Sequence, residues 1–306
     1  MEHAGTIVSQ VAVMFILILV GFVCAKIKII TNEGRKQMSS LVLTVVTPAL
    51  IFMSYQKEFS KELVEGLLWS FLLSAVTYAL TIPISYILIR KKKNPDFAIE
   101  RFSLIFTNCG FMGIPLVNAL FGSDGVLYVT AYVTLFNLLI WTFGLMMIKN
   151  EMNIKELGHA LTSPTVISIA LGLIFYFAQI KVPDILGRAL TFAADMNTPL
   201  PMIVAGATMA QTDLIKAVKK PKTLLISFYR LILFPLICAV ILKLFNAPEM
   251  VYTITVIASA CPVATTLIMF TIQYNKNDKY SSELFSITTL LSAITLPLIL
   301  VLINYL

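Results

Sequence analysis

The chain has 306 residues, of which 58% are apolar and 13% charged, against roughly 45–50% and about 25% in soluble proteins. A mean hydropathy of +0.88 leaves too little polar surface to clothe a soluble domain, and the same figures exclude disordered, collagen-like, coiled-coil and disulfide-framework classes. The net charge of +7 sits in short loops between apolar runs, so membrane topology accounts for it and nucleic acid is not an expected partner.

The first run, in MEHAGTIVSQVAVMFILILVGFVCAKIK, lacks a basic leader and an A-x-A site, and reads as a retained span rather than a cleaved signal. Apolar runs of about 20 residues then follow in order: 6–25, 37–55, 64–89, 98–121, 126–148, 163–180, 185–211, 223–245, 250–273 and 283–304. The expected fold is an all-α membrane protein of ten transmembrane helices, a multi-pass protein of the cell membrane with the lipid bilayer as a partner. Loops after odd-numbered spans hold 17 Lys and Arg residues (Lys26, Lys28, Arg35, Lys36, Arg90–Lys93, Arg101, Lys149, Lys155, Lys216, Lys219, Lys220, Lys222, Lys276 and Lys279), and the other loops hold 5. The split places the odd loops in the cytoplasm and both termini outside. Cys24, Cys109, Cys238 and Cys261 lie in or beside apolar spans with no CxxC pair, which reads as small buried hydrophobes.

Three prolines recur at nearly constant offset. Pro48 matches Pro199 at 151 residues, Pro83 matches Pro235 at 152, and Pro115 matches Pro262 at 147. The chain therefore reads as two five-span repeats, 1–150 and 160–306. An odd number of spans per repeat inserts the second upside down, which is the inverted-repeat plan of secondary transporters.

Spans 4 and 9 carry the chemistry. Span 4, RFSLIFTNCGFMGIPLVNALFG, places Asn108, Gly110, Gly113, Pro115 and Asn118 inside the bilayer, and Pro262 interrupts span 9, ITVIASACPVATTLIMFTIQY. Proline removes an amide and clashes with the preceding turn. Opened helices at mid-depth are tolerated only where they face protein or a wet cavity. Two symmetric breaks predict a central site where half-helix N-termini offer free N–H groups to an anion. The alternative reading of each proline is a simple kink in a packed helix.

The stretch TNCGFMGIPLVNALFG resembles the N-x-x-x-x-G-I-P-L signature of the auxin efflux carrier family. TPALIF in span 2 and the tail from ACPVATTLIMF to TLPLIL fit the same family. The resemblance implies broken crossover helices at spans 4 and 9, a fold related to the bile acid sodium symporters, a scaffold bundle, a moving transport bundle, a homodimer and organic-anion substrates. Plant members carry the auxin anion, and bacterial members are associated with malate, malonate and similar carboxylates. The long central loop of long plant carriers is missing here. By the same resemblance Asn108 is the crossover asparagine, and Pro115 and Pro262 are the crossover prolines. Asn137 falls where plant carriers have a substrate-facing glutamine.

Further candidates come from the residues themselves. Ser259, Thr265 and Thr266 offer hydroxyls near the second break, or else bond their own helix backbone. Asn137 is an amide in an apolar helix, whose other reading is an interhelical hydrogen bond. Asp195 and Asn197 lie mid-span, and an intramembrane carboxylate is a candidate for Na+ or H+ coupling. Asp195 is alternatively a structural partner of Arg230, which itself reads as snorkelling from the inner end of span 8. His3 and His159, at the terminus and in a loop, do not read as proton relays. No GxxxxGK, HExxH or GxSxG motif occurs, so no ATP coupling, enzyme activity or cofactor is expected. A secondary carrier of a small organic anion is the leading reading, with an anion channel or a ligand-binding sensor on the same fold as alternatives.

Overall fold

Hydrocarbon offers backbone amides no water, so apolar runs of this kind must close their hydrogen bonds internally. In the computed structural model every described element is a helix. The structure describes residues 2–91, 94–149, 162–303 and 305, with side chains from Val8 onward; Lys92, Lys93, Lys155, His159 and the side chain of His3 lie outside that set. In chain order the helices are α1 (Glu2–Lys26), α2 (Asn32–Ser54), α3 (Lys61–Leu88), α4 (Phe97–Ile105), α5 (Cys109–Lys149), α6 (Pro164–Ala178) and α7 (Asp184–Asp195). They continue with α8 (Pro199–Met209), the short α9 (Leu214–Val218), α10 (Pro221–Lys243), α11 (Glu249–Ala260), α12 (Thr266–Gln273) and α13 (Asp278–Ile303). Six are long and apolar enough to cross a membrane, namely α1, α2, α3, α5, α10 and α13. All ten apolar runs read from the sequence are helical, but the fourth, seventh and ninth are each divided into two pieces.

Local chemistry explains several boundaries. Thr31 caps α2 by accepting from Gly34 N at 3.0 Å, and Ser163 caps α6 by accepting from Val166 N at 3.4 Å. Within α5 the chain turns at Gly122, whose φ of +62° and ψ of −153° suit only a residue without Cβ. Three wide π turns, Val42–Val46, Cys109–Gly113 and Tyr229–Leu233, are each followed two residues later by a proline, Pro48, Pro115 and Pro235. A proline ring clashes with the carbonyl four residues back, and a π turn moves that carbonyl aside. Pro115 is therefore housed inside a continuous helix. The break expected at Pro115 lies seven residues earlier, at 106–108, where Phe106 is extended.

The loops gather at two ends of the bundle. At one end Asn32 bonds Gln211, Lys222 bonds Asn94, and Asn277 bonds Asp96. This end holds the Lys- and Arg-rich loops. At the other end Ser60 N donates to Tyr176 Oη at 2.9 Å, Val182 N donates to Gln56 Oε1 at 3.2 Å, and Lys57 forms an ion pair with Asp124. Half-burial in that loop lowers the pKa of the Lys57 ammonium from the usual lysine value.

Packing groups the helices into two bodies. One consists of α1, α2 and α6–α8, the other of α3–α5 and α10–α13. In the first body α1 lies against α8 without spacer atoms. A Cβ on Gly206 would stand 1.8 Å from Ile18 O, and one on Gly21 would stand 2.0 Å from Ile203 O. In a membrane such close backbone approach replaces the hydrophobic drive that lipid cannot supply. Tyr55, at the end of α2, reaches the second body by sharing a 2.7 Å hydrogen bond with Thr130 of α5.

Candidate functional site

The two breaks meet face to face in the second body. The first, 106–108, separates α4 from α5; the second, 261–265, separates α11 from α12. Thr107 and Val263 pair as an antiparallel bridge. Asn108 N donates to Pro262 O at 2.7 Å and Ala264 N donates to Phe106 O at 3.1 Å. Val263 N donates to Thr288 Oγ1 of α13 at 3.2 Å. Some of the amides freed by the breaks are thus consumed between the two chains. Gly113 permits the approach, because a Cβ there would stand 3.3 Å from Cys261 Sγ.

Four half-helix ends converge at this crossing, and they are not treated alike. The C-termini of α4 and α11 are negative ends, and Arg230 covers both. Its Nη1 donates to Leu104 O at 3.1 Å, its Nε and Nη2 donate to Cys261 O at 3.1 and 3.0 Å, and Nη2 also reaches Ser259 O. Arg230 is 1% exposed, and its fork of donors matches a set of convergent carbonyls as an ammonium could not. Arg230 is thus neither a snorkelling residue nor a partner of Asp195. The N-termini of α5 and α12 receive no such cover. Neither has a side-chain cap; in α12 Leu267 N and Ile268 N bond back to Ala264 O and Thr265 O at 3.2 and 3.1 Å, so the open donors of that end are the amides of Thr265 and Thr266. With the negative ends neutralised, the field left at the crossing is that of two positive ends.

Asn108 stands at the start of α5, 4% exposed, and its Nδ2 is buried without a hydrogen-bond partner. Such an orphaned donor costs about 1–3 kcal/mol, which an anionic acceptor would relieve. Thr266 Oγ1, in the first turn of α12, is likewise buried and unpartnered. Gly110 faces open space, with nothing within 4 Å of an added Cβ.

A cavity of about 430 Å³ runs between the two bodies, lined by Arg35, Lys36, Ser39, Ser40, Leu43, Thr44, Phe111, Val204, Thr208, Thr265, Ile268, Met269, Ile272 and Gln273. Phe111 and Thr265 bring it to the first turn of α5 and to the start of α12. Arg35, Lys36 and Gln273 place its mouth at the Lys-rich end. A recess of about 560 Å³ at the opposite end, lined by Lys57, Lys181, Asp184 and Arg188 among others, touches neither break.

The other residues singled out in the sequence lie elsewhere. Asn137 Nδ2 donates to Val133 O of its own helix at 2.8 Å, and Asn137 is not among the residues lining this cavity. Ser259 Oγ donates to Val256 O at 2.8 Å; its carbonyl, not its hydroxyl, serves the crossing. Asn118 is half-buried, ten residues beyond Asn108 along α5 and outside the cavity lining. Asp195 is exposed at the turn between α7 and α8, apart from the linings of both cavities. Asn197 beside it is buried and accepts from Thr47 Oγ1 at 2.8 Å. Arg35 and Thr208 were missed. The signal was the pair of i, i+4 rows Arg35–Ser39–Leu43 and Lys36–Ser40–Thr44, concealed by starting span 2 after Arg35.

A family model described as membrane transport protein matches residues 6–157 and 150–300, nearly the whole chain. The chain belongs to this family, that of the auxin efflux carriers. Among curated relatives of this membrane transport family, an uncharacterized transporter of Methanothermobacter thermautotrophicus is 24% identical over 290 residues, 93% of this chain and 94% of its own length. A Rhizobium meliloti protein named "Putative malonate transporter" is 24% identical over 310 residues, covering 97% and 96%. An uncharacterized transporter of Methanocaldococcus jannaschii is 22% identical over 298 residues, covering 94% and 96%. Family and relatives alike are membrane transporters rather than enzymes.

Proposed function

We propose that this membrane transport protein is a secondary carrier that moves a small carboxylate anion across the cell membrane by alternating access. One observation carries the reading: Arg230 covers both negative half-helix ends at the crossing and leaves both positive ends free, beside the orphaned Asn108 amide. Such a site holds an anion through dipoles and amides without a full charge that would retain it. The malonate named for the Rhizobium relative is a substrate of this chemistry.

In this reading the chain crosses ten times, as inverted five-helix units over 1–150 and 160–306, with α4–α5 and α11–α12 as the crossover spans. The gathering of the Lys-rich loops at one end supports that face as cytoplasmic, with the termini outside. The first body is the support and the second moves against it. The state described here is open to the cytoplasm, because the cavity mouth lies at Arg35 and Lys36 while Tyr55–Thr130 and Lys57–Asp124 close the opposite face.

The test is flux of radiolabelled malonate, succinate and lactate in proteoliposomes. A carrier gives saturable uptake that an unlabelled anion on the far side accelerates. Unsaturable conductance, or binding without flux, would overturn the proposal in favour of a channel or a sensor. Asn108→Ala loses a charge-assisted hydrogen bond of about 1.5–3 kcal/mol, roughly 10- to 150-fold in affinity.

A further inference from the structure

The cavity between α2, α8 and α12 has an anion-attracting group at each end. At the mouth lies Arg35, half-buried. Its Nη1 donates to Thr208 Oγ1 at 3.2 Å, and Thr208 gives its own proton to Val204 O at 2.8 Å. Arg35 Nε is buried with no partner. The guanidinium is therefore held in place by one neutral hydroxyl, while its Nε side has no protein acceptor. Among the described residues no Asp or Glu lines the cavity, so no described carboxylate within it neutralises Arg35.

At the floor stands the uncapped first turn of α12, with Thr265 in the lining and the unpartnered Thr266 hydroxyl behind it. Arg35 and Thr44, nine residues apart on α2, both line the cavity, which sets its length along the helix at about 13 Å. The wall between the two ends includes Leu43, Phe111, Val204 and Ile268. Anion-attracting ends, with these apolar side chains beside the hydroxyls of Ser39 and Ser40 between them, match an acid with a carboxylate at each end and methylene between.

Building on the carrier reading, we infer that Arg35 is the specificity-determining residue that recognises a second carboxylate, so that the protein selects dianionic over monoanionic acids. One carboxylate lies on the first turn of α12, and the other accepts from the free side of the Arg35 fork, the geometry in which arginine holds a carboxylate best. The two contacts belong to different bodies, because α2 is in the first and α12 in the second. A dianion spans the seam; a monoanion satisfies only one side of it.

The competing role for Arg35 is structural, tying α2 to α8 through Thr208, and the ratio of affinities separates the two. Purified protein in detergent is titrated with malonate, succinate and glutarate, and with the monomethyl ester of each, at about pH 7.5, where every free carboxylate is ionised. Ester and diacid match in length and differ in one charge. Wild type is expected to favour at least one diacid over its ester by about tenfold to a hundredfold. Arg35→Gln should bring that ratio close to one, Arg35→Lys should restore part of it, and Thr208→Val should keep it. Thermal unfolding of each variant confirms a folded sample. If Arg35→Gln retains the wild-type ratio, or wild type shows no preference at any length, the role of Arg35 is overturned while the carrier reading stands. If no carboxylate binds at all, both fall.

Discussion

Arg230 offers the most direct test of the field at the crossing. Arg230→Met keeps the volume and apolar stem and removes the guanidinium. It orphans the carbonyls of Leu104, Ser259 and Cys261. Each orphan costs about 1–3 kcal/mol, partly offset because a charge no longer has to be buried. The effect on the site is separate. Two C-terminal ends of about −0.5 each stand uncovered. Thr265 is four residues along the chain from Cys261, a reach of about 10–13 Å. At an effective dielectric near 20, the two ends together act on a monoanion with about 1.3–1.7 kcal/mol, roughly tenfold to twentyfold in affinity and the square of that for a dianion. The assay is malonate titration at low and high salt beside thermal unfolding; burial keeps the effect largely insensitive to salt. Arg230→Lys retains the charge but not the fork, so it should lose stability and keep most of the affinity. A folded Arg230→Met protein that binds malonate as tightly as wild type would refute the argument that guanidinium cover leaves the positive ends dominant.

Three further outcomes follow from the packing. Replacing both Lys57 and Asp124 with alanine removes a partly exposed ion pair worth up to about 1 kcal/mol, and should raise the population open at that face by at most about fivefold, read as faster labelling of a cysteine placed at the buried Ser54. Gly206→Leu drives a side chain into Ile18 O and should cost more than the 1–3 kcal/mol typical of overpacking, seen as lost folded yield on gel filtration; a normal yield would mean α1 and α8 do not approach as described. Asp195→Asn should leave the sodium and pH dependence of flux unchanged, because Asp195 is exposed and absent from the cavity lining.

Much of this was legible in the sequence because membrane constraints are strong. Hydropathy alone located ten helical runs, and the breaks in spans 4 and 9 were anticipated from Asn, Gly and Pro at mid-depth. The position of the first break is not legible there, because proline is the helix breaker that a sequence displays. A π turn absorbs Pro115, and the chain instead opens at 106–108, where Asn108 N and Phe106 O find partners in 262–264. The role of Arg230 was invisible for a different reason. Its partners lie 126, 29 and 31 residues away in sequence and are carbonyls, which every residue possesses and which no side-chain pattern marks. An amide in an apolar helix such as Asn137 also has a local partner that no sequence pattern marks, the carbonyl one turn back.

The glycine contact between α1 and α8 also constrains how the chain is made. Gly21 and Gly206 are separated by 185 residues, so α1 enters the bilayer long before the surface it fits exists. The same holds across the middle of the chain, where the latter part of α2 waits for α6 and α7. Each early helix is thus completed by a late one, and the first body cannot close until α8 has left the ribosome. During synthesis α1 stands as an isolated hairpin arm in lipid, stable as a helix but without its seat. A ribosome that stalls after α5 yields helices with no assembled body, which makes premature termination, rather than local misfolding, the failure to which this architecture is most exposed.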